Sequence, residues 1–186
     1  MLHNKLALPK KFIEDVFELP YNKNTLANPE HEKQIEELLK KHNIRYEFQP
    51  NGTQDSPDFY LPDYDLNIEC KSFKNLKPMW NLHLPKQNSL YIICSKKLNK
   101  TVMFFGEYIL SKANSEKIIA RYKKYKKMII EDQKEDKDSE TDVGFWIYPR
   151  LSFDSYISKL CNKNYKSFYF SEFHKTKLLK HFNYEV

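Results

Sequence analysis

Residues 56–72, SPDFYLPDYDLNIECKS, constrain the fold most, because they combine two strand-like runs with a short turn. Residues 59–61 and 66–71 alternate apolar and polar side chains, and the tetrapeptide 62–65 has the composition of a turn. A loop of this length pairs Asp58 with Glu69 across the hairpin. Because side chains alternate between the two faces of a strand, one face is apolar (Phe59, Leu61, Leu66, Ile68, Cys70) and the other polar (Asp58, Tyr60, Asn67, Glu69, Lys71).

The polar face of this hairpin places two carboxylates opposite each other. Directly opposed residues have Cβ atoms roughly 4.5–5.5 Å apart, where like charges destabilise a sheet. A divalent cation would offset that repulsion, and Mg²⁺ is typically held by one or two carboxylates and a substrate phosphate. Lys71 adds a positive charge that can orient a water or offset charge on a phosphate. The pattern predicts a metal-dependent phosphodiesterase site; the alternative is an ordinary edge hairpin with a solvated polar face.

A helix is predicted upstream of the hairpin, with Asn28 as its N-cap and Pro29 at its first helical position. Its apolar stripe consists of Ile35, Leu38 and Leu39. Glu32 falls on the stripe side and is expected to face inward, and Glu36 lies close to that side. An inward acid here is either a third ligand, or a holder of a metal-bound water, or a first-turn glutamate that stabilises the helix dipole.

Pro57-Asp58, Glu69-x-Lys71 and a preceding glutamate-bearing helix together resemble the PD-(D/E)xK nuclease superfamily over residues 28–95. The resemblance implies an α/β fold with a central mixed β-sheet flanked by helices, a restriction-endonuclease-like core. It also implies that Asp58, Glu69 and the backbone carbonyl of Cys70 bind Mg²⁺, for which Mn²⁺ is the expected substitute. Lys71 would then orient the attacking water, and Glu32 would be the helix acid. Asp63 is a rival for the first acid, but its place in the turn puts it too far from Glu69 to share an ion.

The short chain is similar to the small catalytic subunits of heterodimeric type IIS restriction endonucleases. That resemblance implies a DNA endonuclease that cuts one strand of a double-stranded DNA, while a larger partner subunit recognises the site and cuts the other strand. Two alternatives stay open. One is a self-sufficient homodimeric restriction nuclease or a DNA-repair nuclease, and the other is a catalytically silent DNA-binding subunit.

Length and composition narrow the classes of protein to which the chain could belong. The 186 residues suit a single domain, residues 1–186, and a net charge of +6 suits a polyanionic partner. Three cysteines without zinc-type spacing are expected to be free thiols in a reducing compartment, which predicts a cytoplasmic protein. No run of about 18 apolar residues predicts a membrane span. The three glycines form no dinucleotide or P-loop pattern, so no nucleotide cofactor is expected.

The rest of the chain predicts further elements. Strands are expected at 89–95, 101–105 and 143–148, an exposed acidic loop at 131–142, and helices at 115–130 and 172–182. Lysines and an arginine line one side of the helix at 115–130 and either follow phosphates or form an ordinary solvated face. His174 and His181 are expected at the surface or as partners of a helix dipole.

Overall fold

The computed structural model describes residues 6–21, 28–52, 55–74, 80, 84–132 and 168–186. Five helices and five strands lie within these residues. In chain order they are α1 (Lys10–Glu18), α2 (Asn28–Lys41), β1 (Glu47–Phe48), β2 (Phe59–Leu61), β3 (Leu66–Phe73), β4 (Ser89–Ser95), β5 (Lys100–Phe105), α3 (Gly106–Ile109), α4 (Lys112–Asp132) and α5 (Phe173–His181).

The strands form one mixed sheet in the order β1-β2-β3-β4-β5. Strands β3 and β4 are parallel, and the other neighbouring pairs are antiparallel. In the hairpin, Phe59 pairs with Ile68 and Leu61 with Leu66, as the sequence predicts. The α/β class and the mixed sheet with helices are therefore confirmed, as is the register of the hairpin.

The apolar face of the hairpin belongs to the first of two hydrophobic cores. Helices α1 and α5 pack on β5 and α2 packs on β3, covering that face of the sheet. The residues of this first core include Phe12, Val16, Ile35, Leu39, Phe59, Ile68, Ile92, Met103 and Leu178. Every residue of β4 is buried, because a second core covers the other face with Trp80, Tyr91, Ile93, Val102, Phe104, Tyr169 and Phe170.

Several predicted elements have the expected bounds within one to three residues, and some expectations are wrong. The acidic segment does not begin at 131, because α4 continues through Asp132. His174 is buried rather than exposed, and its Nε2 lies 2.8 Å from the carbonyl oxygen of Phe168. Helices α1 and α3 and strand β1 had no counterpart in the predicted elements.

Some predictions fall outside the described residues: the strand at 143–148, most of the acidic loop, and Cys161. Cys70 and Cys94 are buried free thiols, as predicted. The single domain over residues 1–186 stays a prediction, because 133–167 are not described. In the described part of the chain, no helix combines the length and apolar character needed to cross a bilayer.

Candidate functional site

The hairpin presents Asp58, Glu69 and Lys71 on the side of the sheet opposite the first core. Along β3, the residues of the apolar set are buried while Glu69 and Lys71 are only partly exposed. Asp58 lies one residue before β2, and its backbone N–H donates to the carbonyl oxygen of Ile68 at 3.1 Å. The predicted alternation of faces is therefore confirmed, and the two acids lie next to each other across the hairpin.

Asp58 is fixed by hydrogen bonds at both its backbone and its side chain. Its Oδ2 accepts from the backbone N–H of Cys70 at 2.6 Å, and its carbonyl accepts from the N–H of Gln49 at 2.8 Å. Because the N–H and C=O of one strand residue point to the same side, the Cys70 carbonyl also points toward the Asp58 side of β3. The carboxylate and the carbonyl proposed as ligands thus share one edge of the strand.

Glu69 and Lys71 form a partly buried pair on β3. Lys71 Nζ lies 3.5 Å from Glu69 Oε1, and the side chains are 14% and 17% exposed, respectively. Glu69 Oε2 is buried and has no hydrogen-bond partner among the described residues. A buried carboxylate oxygen without a donor is unfavourable, so this oxygen is the one best placed to accept a cation or a water.

Glu32 approaches the same site from α2, with its side chain buried as predicted. Its Oε2 accepts from Gln49 Nε2 at 3.5 Å. Glu36 is engaged elsewhere, because its Oε1 accepts from the Tyr46 hydroxyl at 2.5 Å and lies 2.7 Å from Lys40 Nζ. Of these two acids, Glu32 is therefore the one that is available to the hairpin site.

Electrostatics show that the three acids interact. Burial raises the pKa of Asp58 to about 7; the hydrogen bond from Cys70 opposes this rise, and the charges of Glu69 and Glu32 add to it. Burial also raises the pKa of Glu32, with a further contribution from Glu69. At Asp58 and Glu32, the neighbouring carboxylates thus add to the effect of burial in favouring the protonated form, as expected of acids that lie close together.

The donor set suits a hard divalent ion held by two carboxylates. Within the described ranges, no group of three or more His, Cys, Asp or Glu side chains has the geometry to hold a metal ion. Mg²⁺ does not require such a group, since it keeps several waters and takes only one or two protein carboxylates. Glu69 Oε2, which has no hydrogen-bond partner in the described ranges, lies beside Asp58 and fits that requirement, and Glu32 is close enough to interact with both acids.

The rival acid Asp63 lies apart from this cluster. It is in the turn between β2 and β3, where its Oδ1 forms an exposed ion pair with Arg45 Nη2 at 2.7 Å. The geometric reason for preferring Asp58 is consistent with this placement. Asp63 is therefore a matched control for substitutions of Asp58.

Two side chains at the site were missed by sequence reasoning. Gln49 joins Asp58 and Glu32, through its backbone N–H and its side-chain amide respectively. Tyr91 pairs with Glu69 in the parallel β3–β4 register, and its hydroxyl accepts from the N–H of Lys86 at 2.8 Å. No local motif marks either residue, because the Gln49–Glu32 and Tyr91–Glu69 contacts join segments that are distant along the sequence.

No protein-family model, curated protein or solved structure matches this chain. The description of the site therefore depends on the residues of the chain itself. The resemblance to the PD-(D/E)xK superfamily stays a prediction from the motif residues and their spacing.

Proposed function

We propose that this chain is a Mg²⁺-dependent endodeoxyribonuclease with a restriction-endonuclease-like core of the PD-(D/E)xK type. The observation that carries the proposal is the convergence of Asp58, Glu69 and Glu32 beside Lys71, with one buried Glu69 oxygen that has no hydrogen-bond partner among the residues the structure describes. A cluster of acids this close is unfavourable by itself and becomes favourable with a cation. Phosphodiester hydrolysis is a reaction that uses such a site.

Asp58 and Glu69 would hold the ion, with the Cys70 carbonyl as a further ligand. When bound, Mg²⁺ supplies a polarised phosphate and a water of lowered pKa. Lys71 donates hydrogen bonds that orient the attacking water and offset negative charge on the phosphate. Glu32 would support a second ion or the water shell of the first, and Gln49 donates a hydrogen bond that holds Glu32 in place.

Double-stranded DNA is the proposed substrate, and a larger recognition subunit is the proposed partner in the cytoplasm. The net charge of +6 favours a polyanionic substrate. In this arrangement the chain cuts one strand, and the partner supplies recognition of the site. The self-sufficient homodimeric or repair nuclease differs in one measurable respect, because it would cut specific DNA sites without a partner.

Cleavage of supercoiled plasmid in the presence of Mg²⁺ or Mn²⁺ tests the proposal. Wild-type protein in excess is expected to nick the plasmid without strong sequence preference. Glu69→Gln, Asp58→Asn and Lys71→Ala should each reduce nicking at least about 100-fold, since each removes a group that acts on the phosphate or water. Asp63→Asn should nick as well as wild type.

Two results would contradict the nuclease proposal. One is equal nicking by wild type and Glu69→Gln, which would show that Glu69 takes no part in the cleavage. The other is absence of nicking by wild type both alone and with a partner subunit. Circular dichroism of each variant establishes that the loss of activity is not a loss of fold.

A second candidate function is a catalytically silent DNA-binding subunit. The observation that favours it is the Lys71–Glu69 ion pair, which partly neutralises the site without a metal ion. A silent subunit would bind DNA yet show no Mn²⁺ binding that depends on Asp58 and Glu69.

A further inference from the structure

Helix α4 is the most cationic element of the described fold. Its residues 112–130 contain one acid, Glu116, and seven cations: Lys112, Lys117, Arg121, Lys123, Lys124, Lys126 and Lys127. The acids Glu131 and Asp132 come only at its end. A helix stabilised by its own surface charges would alternate the two signs.

Three of these cations form an exposed row on one side of α4. Lys117, Arg121 and Lys124 are spaced by four and three residues, so they follow one another along the helix surface. Helix α4 lies wholly within the described residues and buries only Ser115. We call Lys117, Arg121 and Lys124 the cation row.

Within the described residues, the cation row lacks the acidic i,i+4 partners that pair other helical lysines, including Lys127 of α4, whose Nζ lies 3.6 Å from Glu131 Oε1. Lys11 lies 3.1 Å from Asp15 on α1, and Lys40 lies 2.7 Å from Glu36 on α2, both at i,i+4 spacing. No acid stands three or four residues from any member of the cation row, whose neighbours at those positions are neutral or cationic. Like charges at this spacing destabilise a helix, so an anionic partner would relieve the repulsion.

The partner chemistry follows from charge and from burial. Double-stranded DNA carries one negative charge per about 1.7 Å of its axis. Helix α4, with 21 residues at about 1.5 Å each, is about 31 Å long, so a duplex lying along it would present many phosphates to its cations. A helix that lies in a membrane surface needs a free apolar face. On α4 the apolar residues Ile118, Tyr122 and Ile129 are partly buried. Ile119, Tyr125 and Met128 are exposed, but the nine-residue spacing from Ile119 to Met128 puts these two on opposite sides of the helix, so the exposed apolar side chains do not form one face for a bilayer.

We propose that α4 binds the phosphate backbone of double-stranded DNA through Lys117, Arg121 and Lys124. This inference goes beyond the proposed function, because it assigns a second surface and does not require that the acids at the hairpin be catalytic. Phosphate contacts fix the position and register of a protein on DNA without reading the sequence. The role of α4 is therefore to hold the duplex, with recognition left to other groups.

Fluorescence anisotropy with a labelled DNA duplex, in EDTA and over a range of salt concentrations, tests this surface. The triple variant Lys117→Glu, Arg121→Glu, Lys124→Glu should bind at least about tenfold more weakly, since three phosphate contacts are lost. The triple Gln variant should reduce the slope of log K against log salt by about 3. Circular dichroism establishes that each variant keeps its helix content.

The matched control is Lys96→Glu, Lys97→Glu, Lys180→Glu, which alters three exposed cations elsewhere and gives the same change in net charge. This control should keep most of the DNA affinity. Equal loss in both triples would overturn the proposal, because the effect would then be one of net charge. Tighter binding to an RNA duplex or to anionic vesicles than to DNA would also overturn it. Because EDTA removes any divalent ion, loss of nuclease activity cannot imitate these results.

Discussion

Opposing influences determine the pKa of the Asp58 carboxyl. Its hydrogen bond from Cys70 favours the charged form, whereas burial and the neighbouring charges of Glu69 and Glu32 favour the protonated form. Burial and the neighbouring charges have the larger effect, so the pKa of Asp58 rises to about 7. A cation at this point would reverse the balance, which makes the protonation of Asp58 a sensitive indicator of ion binding.

Without divalent ions, Asp58 should make stability depend on pH. The folded protein retains the Asp58 proton up to a pKa of about 7, whereas the unfolded chain releases it near the ordinary value of 3.8. The folded state thus binds more protons in this interval, so the free energy of unfolding should fall as pH rises through it. Thermal denaturation in EDTA measures the effect as a melting temperature that decreases toward neutral pH.

Asp58→Asn should remove this part of the pH dependence while preserving an acceptor oxygen for the Cys70 N–H. Asp63→Asn should leave it unchanged, because Asp63 pairs with Arg45 at the surface. A pH dependence in Asp58→Asn that is identical to wild type would contradict the assigned protonation of Asp58. Comparing variants in this way separates Asp58 from Glu32, whose pKa is also raised.

The segment before β4 is held against the start of α3 by a close approach of two backbones. A Cβ built on Gly106 would lie 2.0 Å from the carbonyl oxygen of Lys86, a distance that no side chain tolerates without a shift. The backbone N–H of Lys86 donates to the Tyr91 hydroxyl, and Tyr91 pairs with Glu69 in the β3–β4 register. The position of this segment thus affects the second core directly beside the acids.

Gly106→Ala should therefore destabilise the protein by roughly 1–3 kcal/mol, because overpacking here displaces backbone rather than a flexible side chain. Urea denaturation measures the free energy of unfolding. Lys86→Ala is the control and should cost less than about 0.5 kcal/mol, since only the backbone of Lys86 makes the contact. A Gly106→Ala protein as stable as wild type would contradict the described packing.

Over the whole molecule, the sequence predicts most where the pattern is local. The register of Phe59 with Ile68 follows from alternation and a turn, and strands β4 and β5 follow from compact apolar runs. The contact between Gln49 and Glu32 was beyond prediction, because tertiary packing of a loop on α2 creates it. Burial of His174 was missed for the same reason, because its ring packs against Phe104 of β5, with the ring centroids 5.0 Å apart.

The described residues have two regions of opposite charge. The hairpin gathers acids, for which we propose a divalent cation, and α4 gathers cations, for which we propose a polyanionic partner. A nucleic acid with its bound divalent ions would supply both partners. Each region is testable separately, because substitutions on α4 do not touch Asp58 or Glu69.

The most direct test of the central claim is a Mn²⁺ titration followed by electron paramagnetic resonance at a pH above 7, with no DNA present. Wild type and Asp63→Asn are predicted to bind Mn²⁺, whereas Asp58→Asn and Glu69→Gln should each weaken binding at least about tenfold, because each removes one of two charged ligands. Binding of equal strength in wild type and Glu69→Gln, or none in wild type, would contradict a metal site at the hairpin.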